Sequence, residues 1–187
     1  HLQEPPVVGF DRAILILEAL FTASSVVVVH GPLLSGKSRL AVEYGKWLSD
    51  TTPTRRPVTY ISLEEVRTPE EIAARIPADL PDQGGLLVLD QADWVSPAAQ
   101  TFLTDALNRL KGTCRIIVTT RSADLPWLPT HERITPDVLP LGRRAELGSL
   151  WARGAGTEFD ARALDPLVFF SGGFPGDTSA TFYIVTP

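Results

Sequence analysis

The sequence predicts an α/β fold in which a parallel sheet is covered by helices on both faces. Continuous apolar runs at 26–29, 86–89 and 116–118 are typical of buried central strands. Segments with helical spacing of apolar residues separate these runs, and this alternation of strands and helices indicates a parallel sheet. With 187 residues and 44% apolar content, the chain is long enough to bury a core of this kind.

Capping and turn residues support each predicted element. Asp is a frequent N-cap, Pro is favoured at the first helical position, and Gly is common just after a helix end. Weaker patterns predict a short strand near 133–139 and a helix near 143–152. In chain order, the stronger predictions are a helix at 12–21 capped by Asp11, a strand at 26–30, a helix at 39–48, a strand at 58–63, a helix opened by Thr68-Pro69, a strand at 86–90, a helix from Ser96-Pro97 to Lys111 that Gly112 stops, and a strand at 115–121.

Composition excludes several classes of protein. The net charge of −5 gives no support for a nucleic-acid-binding surface. Cys114 is the single cysteine, so no intrachain disulfide can form, and we expect a buried, inert thiol and a cytoplasmic location. The three histidines, His1, His30 and His131, form no metal-binding pattern and are interpreted as structural or surface residues.

No signal peptide or membrane span is predicted. The apolar stretch at 13–29 is interrupted by Glu18, Thr22 and Ser24, which favours a helix, a turn and a strand over a bilayer-crossing segment. The chain contains no methionine and stops in the apolar run 183–185. We therefore expect a segment of a longer protein.

A glycine-containing loop follows the first predicted strand. Residues 31–38 read GPLLSGKS, which fits the pattern G-x-x-x-x-G-K-[ST] between a strand and a helix. Glycines at both ends let successive backbone N–H groups point at a phosphate chain, and the helix N-terminus adds its dipole. Lys37 would reach the β- and γ-phosphates, and the Ser38 hydroxyl would bind Mg²⁺. The predicted cofactor contacts in and beside this loop are Gly31, Ser35, Gly36, Lys37, Ser38 and Arg39.

Acidic and amide side chains follow the buried strand at 86–90. Asp90 ends this strand, and the carboxyl ends of parallel strands are where ligands bind. A carboxylate there can hold Mg²⁺ through water, whereas the alternative role is a strand-end cap. Gln91 would orient the attacking water but is a poor base, and Asp93 either replaces it as base or caps the next turn. Slow hydrolysis is the expected consequence.

Arg121 stands at the tip of the next predicted core strand, after Thr119-Thr120. Its guanidinium would lie near the γ-phosphate and report whether that phosphate is present. The alternative is a surface arginine. Lys37, Asp90, Gln91 and Arg121 are therefore the predicted catalytic group.

The ordered set of motifs resembles the STAND class of P-loop ATPases, specifically NB-ARC-like domains. The resemblance covers nearly the whole chain, and the segment RIIVTTRS is its most specific piece after the phosphate loop. The matching pieces are 8–12 for the "VGR" box, 26–40 for Walker A, 86–93 for Walker B, 115–122 for the "TTR" sensor, 139–147 for the "L-x-L…EEA" element and 171–175 for the "GGLP" box.

The resemblance implies an ASCE-type P-loop NTPase fold with sheet order 5-1-4-3-2 and ATP or ADP as ligand. It also implies a P-loop nucleotide-binding domain at 1–135 and a partial helical subdomain at 136–187. In the family, the N-terminal box and the Pro of the GxP box approach the base, so Val8 and Pro175 are predicted contacts. The chain departs from the family at Phe10, where Arg is usual, at Gln91, where an acid is usual, and after Pro175, where no Leu/Ala helix follows.

Several functions fit these motifs. The leading hypothesis is a regulatory switch in a signalling protein, a weak ATPase whose Mg²⁺-bound γ-phosphate ties Lys37, Asp90 and Arg121 together. Its expected partners are adenine nucleotide and other domains of a longer chain. Nucleotide-dependent self-association would add further copies of the chain, and no nucleic acid or membrane is indicated. A non-hydrolysing scaffold with a structural nucleotide is the second hypothesis, and a small P-loop kinase is the third. A GTPase is disfavoured because no N-K-x-D motif is present, and a DNA-dependent ATPase because no basic stripe is present.

Overall fold

The computed structural model describes residues 9–52, 56–65, 68–80 and 84–136. Contacts divide the chain into two units. One unit comprises residues 13–31 and 37–136 and contains all five strands. The other comprises 1–12, 32–36 and 137–187, of which 9–12 and 32–36 are described. The predicted helix near 143–152 lies outside the described residues.

Helices and strands alternate as the sequence predicts. The predicted helix cap Asp11 is instead the first residue of its helix, and the short strand predicted near 133–139 begins one residue earlier and ends at Ile134. The helices are α1 (Asp11–Ala23), α2 (Lys37–Thr51), α3 (Pro69–Arg75) and α4 (Pro97–Leu110), and the strands are β1 (Val26–His30), β2 (Val58–Ser62), β3 (Leu86–Asp90), β4 (Arg115–Thr120) and β5 (Glu132–Ile134).

The five strands form one parallel sheet in the order β2-β3-β4-β1-β5. Read from the other edge, this is the predicted order 5-1-4-3-2, so the predicted topology is confirmed. Because all strands run the same way, the residues that end β1, β3 and β4 meet at one edge, which we call the carboxyl edge. His30, Asp90 and Thr120 stand there.

The two faces of the sheet bury different residues of each strand. Leu87 and Leu89 pack with Leu103 and Leu107 of α4 in the main core cluster. On the other face, α2 packs closely, since a Cβ added at Gly45 would lie 3.5 Å from Leu86. Both faces of the central strands are therefore apolar, which explains the continuous runs in the sequence.

Three of the predicted helix ends, at Thr68, Ser96 and Gly112, are present in the structure. Thr68 and Glu71 form a reciprocal capping box at the start of α3, with Pro69 at the first helical position. The Ser96 side chain caps α4, and Gly112 follows that helix with φ of +84°, a conformation that glycine adopts without strain. None of the helices in the described ranges is long and apolar enough to cross a bilayer.

A charged cluster ties α1, α2 and β4 together at the opposite edge of the sheet, the amino edge. Arg115 donates to both carboxylate oxygens of Glu18 and to the Tyr44 hydroxyl, and Tyr44 itself donates to Glu18 at 2.6 Å. The guanidinium lies 5.3 Å from the centre of the Phe21 ring. We call Glu18, Tyr44 and Arg115 the Glu18 cluster. Next to it, Cys114 is buried, and burial raises its pKa to about 11, as expected of an inert thiol.

Candidate nucleotide site

The loop after β1 has backbone angles that ordinary loops avoid. Leu34 has φ of 63° and Gly36 has φ of 86°. Within this segment the Ser35 N–H donates to the Pro32 carbonyl at 3.3 Å. Left-handed residues among right-handed ones turn successive N–H groups to the same side, which is the geometry of an anion-binding nest.

The helix that follows the loop starts with the two side chains predicted to bind phosphate and metal. Lys37 and Ser38 open α2, and the first turn of α2 contains no acidic residue that would compete with an anion. Burial lowers the pKa of Lys37, Asp93 and Asp90 oppose this by raising it, and Arg121 lowers it further. Lys37 therefore shares one electrostatic environment with the predicted acidic and sensor residues.

Asp90 lies at the carboxyl end of β3 and is 2% exposed. Its two carboxylate oxygens accept hydrogen bonds from the hydroxyl groups of Thr119 and Tyr60. Thr119 comes from the adjacent strand β4 and also accepts the Gln91 N–H at 2.9 Å. Asp90 is thus held in one orientation by two neutral donors on the strands beside it.

Tyr60 connects this carboxylate to the start of α2. Besides donating to Asp90, the Tyr60 hydroxyl hydrogen-bonds the side chain of Ser38. Burial and the bonded carboxylate raise the pKa of Tyr60, so its phenol stays neutral at physiological pH. The two residues predicted to hold Mg²⁺ are therefore joined through one intervening hydroxyl group.

Asp93 clamps the tip of the sensor strand. Its carboxylate accepts the backbone N–H of Arg121 at 2.9 Å and the Thr120 hydroxyl at 3.0 Å. The Arg121 guanidinium lies 3.6 Å from the same carboxylate and stacks over Trp94 at 5.9 Å. Of the two roles left open by the sequence, these contacts favour the structural one, because the carboxylate oxygens are already engaged by Thr120 and Arg121.

Gln91 has a left-handed backbone, with φ of 62° and ψ of 52°, between β3 and the 3₁₀ turn Ala92–Trp94. The Gln91 N–H is the group that reaches Thr119. The described contacts of Gln91 are therefore made by its backbone.

The remaining predicted contacts are distributed as follows. The Gly31 N–H donates to the carbonyl of Thr120 at 3.2 Å, which fixes the start of the loop to β4. The Arg39 guanidinium pairs with Glu43 one turn along α2, at 3.0 Å. Val8 and Pro175 lie outside the described residues. The structure thus brings Lys37, Ser38, Asp90 and Arg121 to one edge of the sheet.

The donor set at this edge fits Mg²⁺. Magnesium prefers oxygen ligands, retains several waters and uses few protein groups. The Ser38 hydroxyl and the Asp90 carboxylate supply such oxygens, separated by the single hydroxyl of Tyr60. Within the described ranges, no group of three or more His, Cys, Asp or Glu side chains is arranged to hold a metal, so a Zn²⁺-type site is not indicated there.

Sequence reasoning missed Tyr60. Tyrosine is common in strands, and the predicted strand at 58–63 gave no reason to separate Tyr60 from its neighbours. Only the register, in which Tyr60 pairs with Val88 and Ser62 with Asp90, shows that Tyr60 shares a face with Asp90. Trp94, which is 55% exposed under the Arg121 guanidinium, was also missed, because its partner lies far along the chain at the end of β4.

Solved structures of P-loop ATPases share this architecture. The Walker-type ATPase PABY2304 of Pyrococcus abyssi superposes with a TM-score of 0.72 at 13% identity, over 98% of this chain and 69% of that one. The Holliday junction branch migration motor RuvB of Thermotoga maritima gives 0.66 at 15% identity, over 94% of this chain and 61% of that one. Domain III of the Thermotoga maritima replication initiation protein DnaA gives 0.67 at 15% identity, over 95% of this chain and 83% of that one.

These similarities identify the fold. At such low identity they show the fold alone, which is a P-loop NTPase fold built on the parallel sheet described above. The chain spans less than two thirds of the RuvB chain. No protein-family model matches the sequence, and no curated protein matches it.

Proposed function

We propose that this chain is an ATP- and ADP-binding switch domain with slow Mg²⁺-dependent ATP hydrolysis. The observation that carries the proposal is the arrangement at the carboxyl edge, where Lys37 and Ser38 open α2 beside the buried Asp90 of β3. A phosphate loop needs a cation for the phosphates, a hydroxyl for the metal and a carboxylate on a neighbouring strand. All are present in the expected order along the chain.

Each residue has a distinct role in the proposed mechanism. Lys37 binds the β- and γ-phosphates, and Ser38 and Asp90 hold Mg²⁺, which when bound neutralises charge that develops on the phosphates. Arg121 contacts the γ-phosphate in the ATP state and returns to Asp93 and Trp94 after its loss. The sensor tip then differs between the two nucleotide states, which is the basis of a switch.

Slow hydrolysis follows from the residues after Asp90. Gln91 contributes an amide rather than a carboxylate, and Asp93 is engaged by Thr120 and Arg121. General-base catalysis contributes about 10²- to 10⁴-fold to such reactions. Its absence would keep the ATP-bound state long-lived, which suits a switch.

The finer assignment extends the resemblance stated above. We propose a STAND-class, NB-ARC-like domain at 1–135 followed by a partial helical subdomain at 136–187, within a longer cytoplasmic regulatory protein. ATP binding would then promote contacts with other domains or further copies of the chain. RuvB and DnaA are named for roles in Holliday junction migration and replication initiation. The net charge of −5 argues against direct nucleic-acid binding by this segment.

Nucleotide content and turnover test the proposal. We expect co-purified or added ADP to bind the wild-type chain and ATP to be hydrolysed slowly, with both lost in Lys37→Ala. The matched control is Lys46→Ala, which removes an exposed lysine of the same helix that pairs with Glu43. Absence of adenine nucleotide binding by the folded wild-type chain would overturn the proposal.

A non-hydrolysing scaffold with a structural nucleotide is the second candidate, and Gln91 favours it. The variant Gln91→Glu keeps the backbone while supplying a carboxylate. If the switch reading is right, this variant raises the turnover by about tenfold or more, since a base is restored. Tight ADP binding with no turnover in either protein would instead support the scaffold.

A further inference from the structure

Tyr60 belongs to the edge strand but reaches the centre of the candidate site. In the register of β2 and β3, Tyr60 pairs with Val88 and Ser62 pairs with Asp90. Tyr60 is therefore the diagonal neighbour of Asp90 on the same face, at a distance of about 7–8 Å between backbones that a long side chain can span. This position brings the phenol between α2 and the carboxyl end of β3.

The hydrogen bonds of the phenol have a fixed direction. A tyrosine hydroxyl has one proton, and Tyr60 donates it to Asp90. The hydrogen bond between Tyr60 and Ser38 must then run from the Ser38 hydroxyl to the phenol oxygen. Ser38, Tyr60 and Asp90 thus form one chain of hydrogen bonds that engages both proposed metal-holding groups.

This chain of hydrogen bonds engages the same two groups that a hydrated metal needs. To hold Mg²⁺, Ser38 must turn an oxygen lone pair to the metal, and Asp90 must accept a hydrogen bond from a metal-bound water. A neutral phenol between them is a poor ligand for a hard divalent cation, which selects water and charged oxygens. The phenol and the hydrated metal therefore exclude each other.

The phenol has an open space into which it can move. Its ring borders a groove of about 450 Å³ that is lined by Ala41, Gly45 and Val58 and opens to solvent. Tyr60 is 43% exposed, so a rotation away from Asp90 requires no rearrangement of the core.

We propose that Tyr60 is a metal-gating residue, whose hydroxyl bridges Ser38 and Asp90 when Mg²⁺ is absent and leaves when Mg²⁺ enters. The inference rests on the proposed nucleotide function and specifies its regulation. The metal must displace two hydrogen bonds, so Tyr60 raises the Mg²⁺ concentration at which the nucleotide site becomes loaded. The site then binds free ADP readily and becomes metal-loaded only at higher Mg²⁺ concentration.

The experiment measures ADP affinity by calorimetry at a series of Mg²⁺ concentrations. The quantity compared between proteins is the midpoint, which is the Mg²⁺ concentration that gives half of the metal-dependent gain in ADP affinity. For Tyr60→Phe we expect this midpoint to fall by about three- to tenfold, the size expected from one or two net hydrogen bonds. ADP affinity in EDTA should remain that of the wild type. Tyr60→Leu, which also removes the bulk of the ring, should lower the midpoint as well.

The matched control is Tyr44→Phe, since Tyr44 also donates to a carboxylate but in the Glu18 cluster. We expect it to lower stability and leave the Mg²⁺ midpoint unchanged. An unchanged or higher midpoint in the folded Tyr60 variants overturns the inference, a higher one meaning that Tyr60 supports the metal. If the wild type binds ADP with an affinity that does not depend on Mg²⁺, the inference about Tyr60 is overturned and the proposed function is not. If the wild type binds no ADP, both the inference and the proposed function are overturned.

Discussion

Two arginines stand at opposite ends of β4 and meet different surroundings. Arg115 begins the strand and contacts both oxygens of Glu18, the Tyr44 hydroxyl and the Phe21 ring, with its side chain 25% exposed. Arg121 follows the strand, lies 3.6 Å from Asp93 and stacks over an exposed Trp94, with its side chain 53% exposed. One guanidinium is enclosed by partners, and the other is held loosely at the surface.

The carboxylates at the two edges differ in the same way. At the amino edge, Glu18 is neutralised directly by Arg115. At the carboxyl edge, the oxygens of Asp90 accept hydrogen bonds from the neutral hydroxyls of Tyr60 and Thr119, and Asp90 also interacts electrostatically with Lys37, which we propose binds phosphate. A buried carboxylate with neutral partners attracts a cation, so the amino edge contributes stability and the carboxyl edge is arranged for a ligand.

The largest loss of stability is expected at the amino edge, at Gly85. A Cβ there would lie 2.6 Å from both the Leu80 side chain and the Pro57 carbonyl oxygen. We expect Gly85→Ala to lower the free energy of unfolding by about 2–4 kcal/mol, because overpacking against backbone cannot relax cheaply. Chemical denaturation measures this directly.

The control for this clash is Gly112→Ala. Gly112 has φ of +84° and open space around its Cα, so alanine there adds backbone strain without a clash. We expect a cost of about 1 kcal/mol. If Gly85→Ala and Gly112→Ala lowered the free energy of unfolding by the same amount, the steric contact at Gly85 would not be the cause of its destabilisation.

The pair Arg115→Met and Arg121→Met tests the comparison of the two ends of β4. Arg115→Met should lower the free energy of unfolding by about 1–3 kcal/mol, since it leaves Glu18 without its cation in a half-buried position. ADP affinity should not change. Arg121→Met should cost about 0–1 kcal/mol in stability, as is usual for exposed ion pairs, and weaken ATP binding relative to ADP. Equal losses of stability would contradict the comparison.

The pair Asp90→Asn and Glu18→Gln tests the carboxylates. Asparagine can still accept from one hydroxyl and donate to the other, so Asp90→Asn should change the free energy of unfolding by less than about 1 kcal/mol. The Mg²⁺-dependent gain in ADP affinity should disappear. Glu18→Gln should measurably lower the free energy of unfolding and leave the Mg²⁺-dependent gain in ADP affinity unchanged. Calorimetry with and without EDTA, beside thermal unfolding, separates the two.

The sequence predicted the features that depend on local pattern. Continuous apolar runs located β1, β3 and β4, and the Thr68 and Gly112 signals located helix ends that the structure contains. The order of the strands came from the family resemblance and is confirmed. These features could be predicted because each depends on a few adjacent residues or on a motif with a fixed strand–loop–helix context.

The site was only partly predictable because its hydrogen bonds depend on register. Asp90 was found because it ends a buried run, whereas Tyr60 lies 30 residues earlier in the chain and meets it through pairing of β2 with β3. The clamp between Asp93 and Arg121 spans 28 residues in the same way. Such long-range pairs leave no local trace in one sequence, so both roles of Asp93 stayed open until the contacts were seen.

The smallest effect is expected at Gln91, where backbone and chemistry can be separated. A left-handed conformation costs a non-glycine residue about 1 kcal/mol, but glycine also gains about 0.4–1 kcal/mol of entropy in the unfolded chain. The two terms nearly cancel, so Gln91→Gly should leave stability almost unchanged. Gln91→Asn should be slightly stabilising, because asparagine tolerates this region.

Gln91→Val completes this series, because a β-branched side chain is strained there and should lower stability further than any other member. Chemical denaturation of the wild type and the three variants should rank their free energies of unfolding. The Asn variant should be the most stable, the wild type and the Gly variant should be about equal, and the Val variant should be the least stable. If turnover followed the same ranking, Gln91 would act through the turn that positions Thr119. If turnover fell equally in every variant, the Gln91 amide itself would act on the attacking water. The slow rate of ATP hydrolysis would then depend on this side chain rather than on the backbone conformation of the turn.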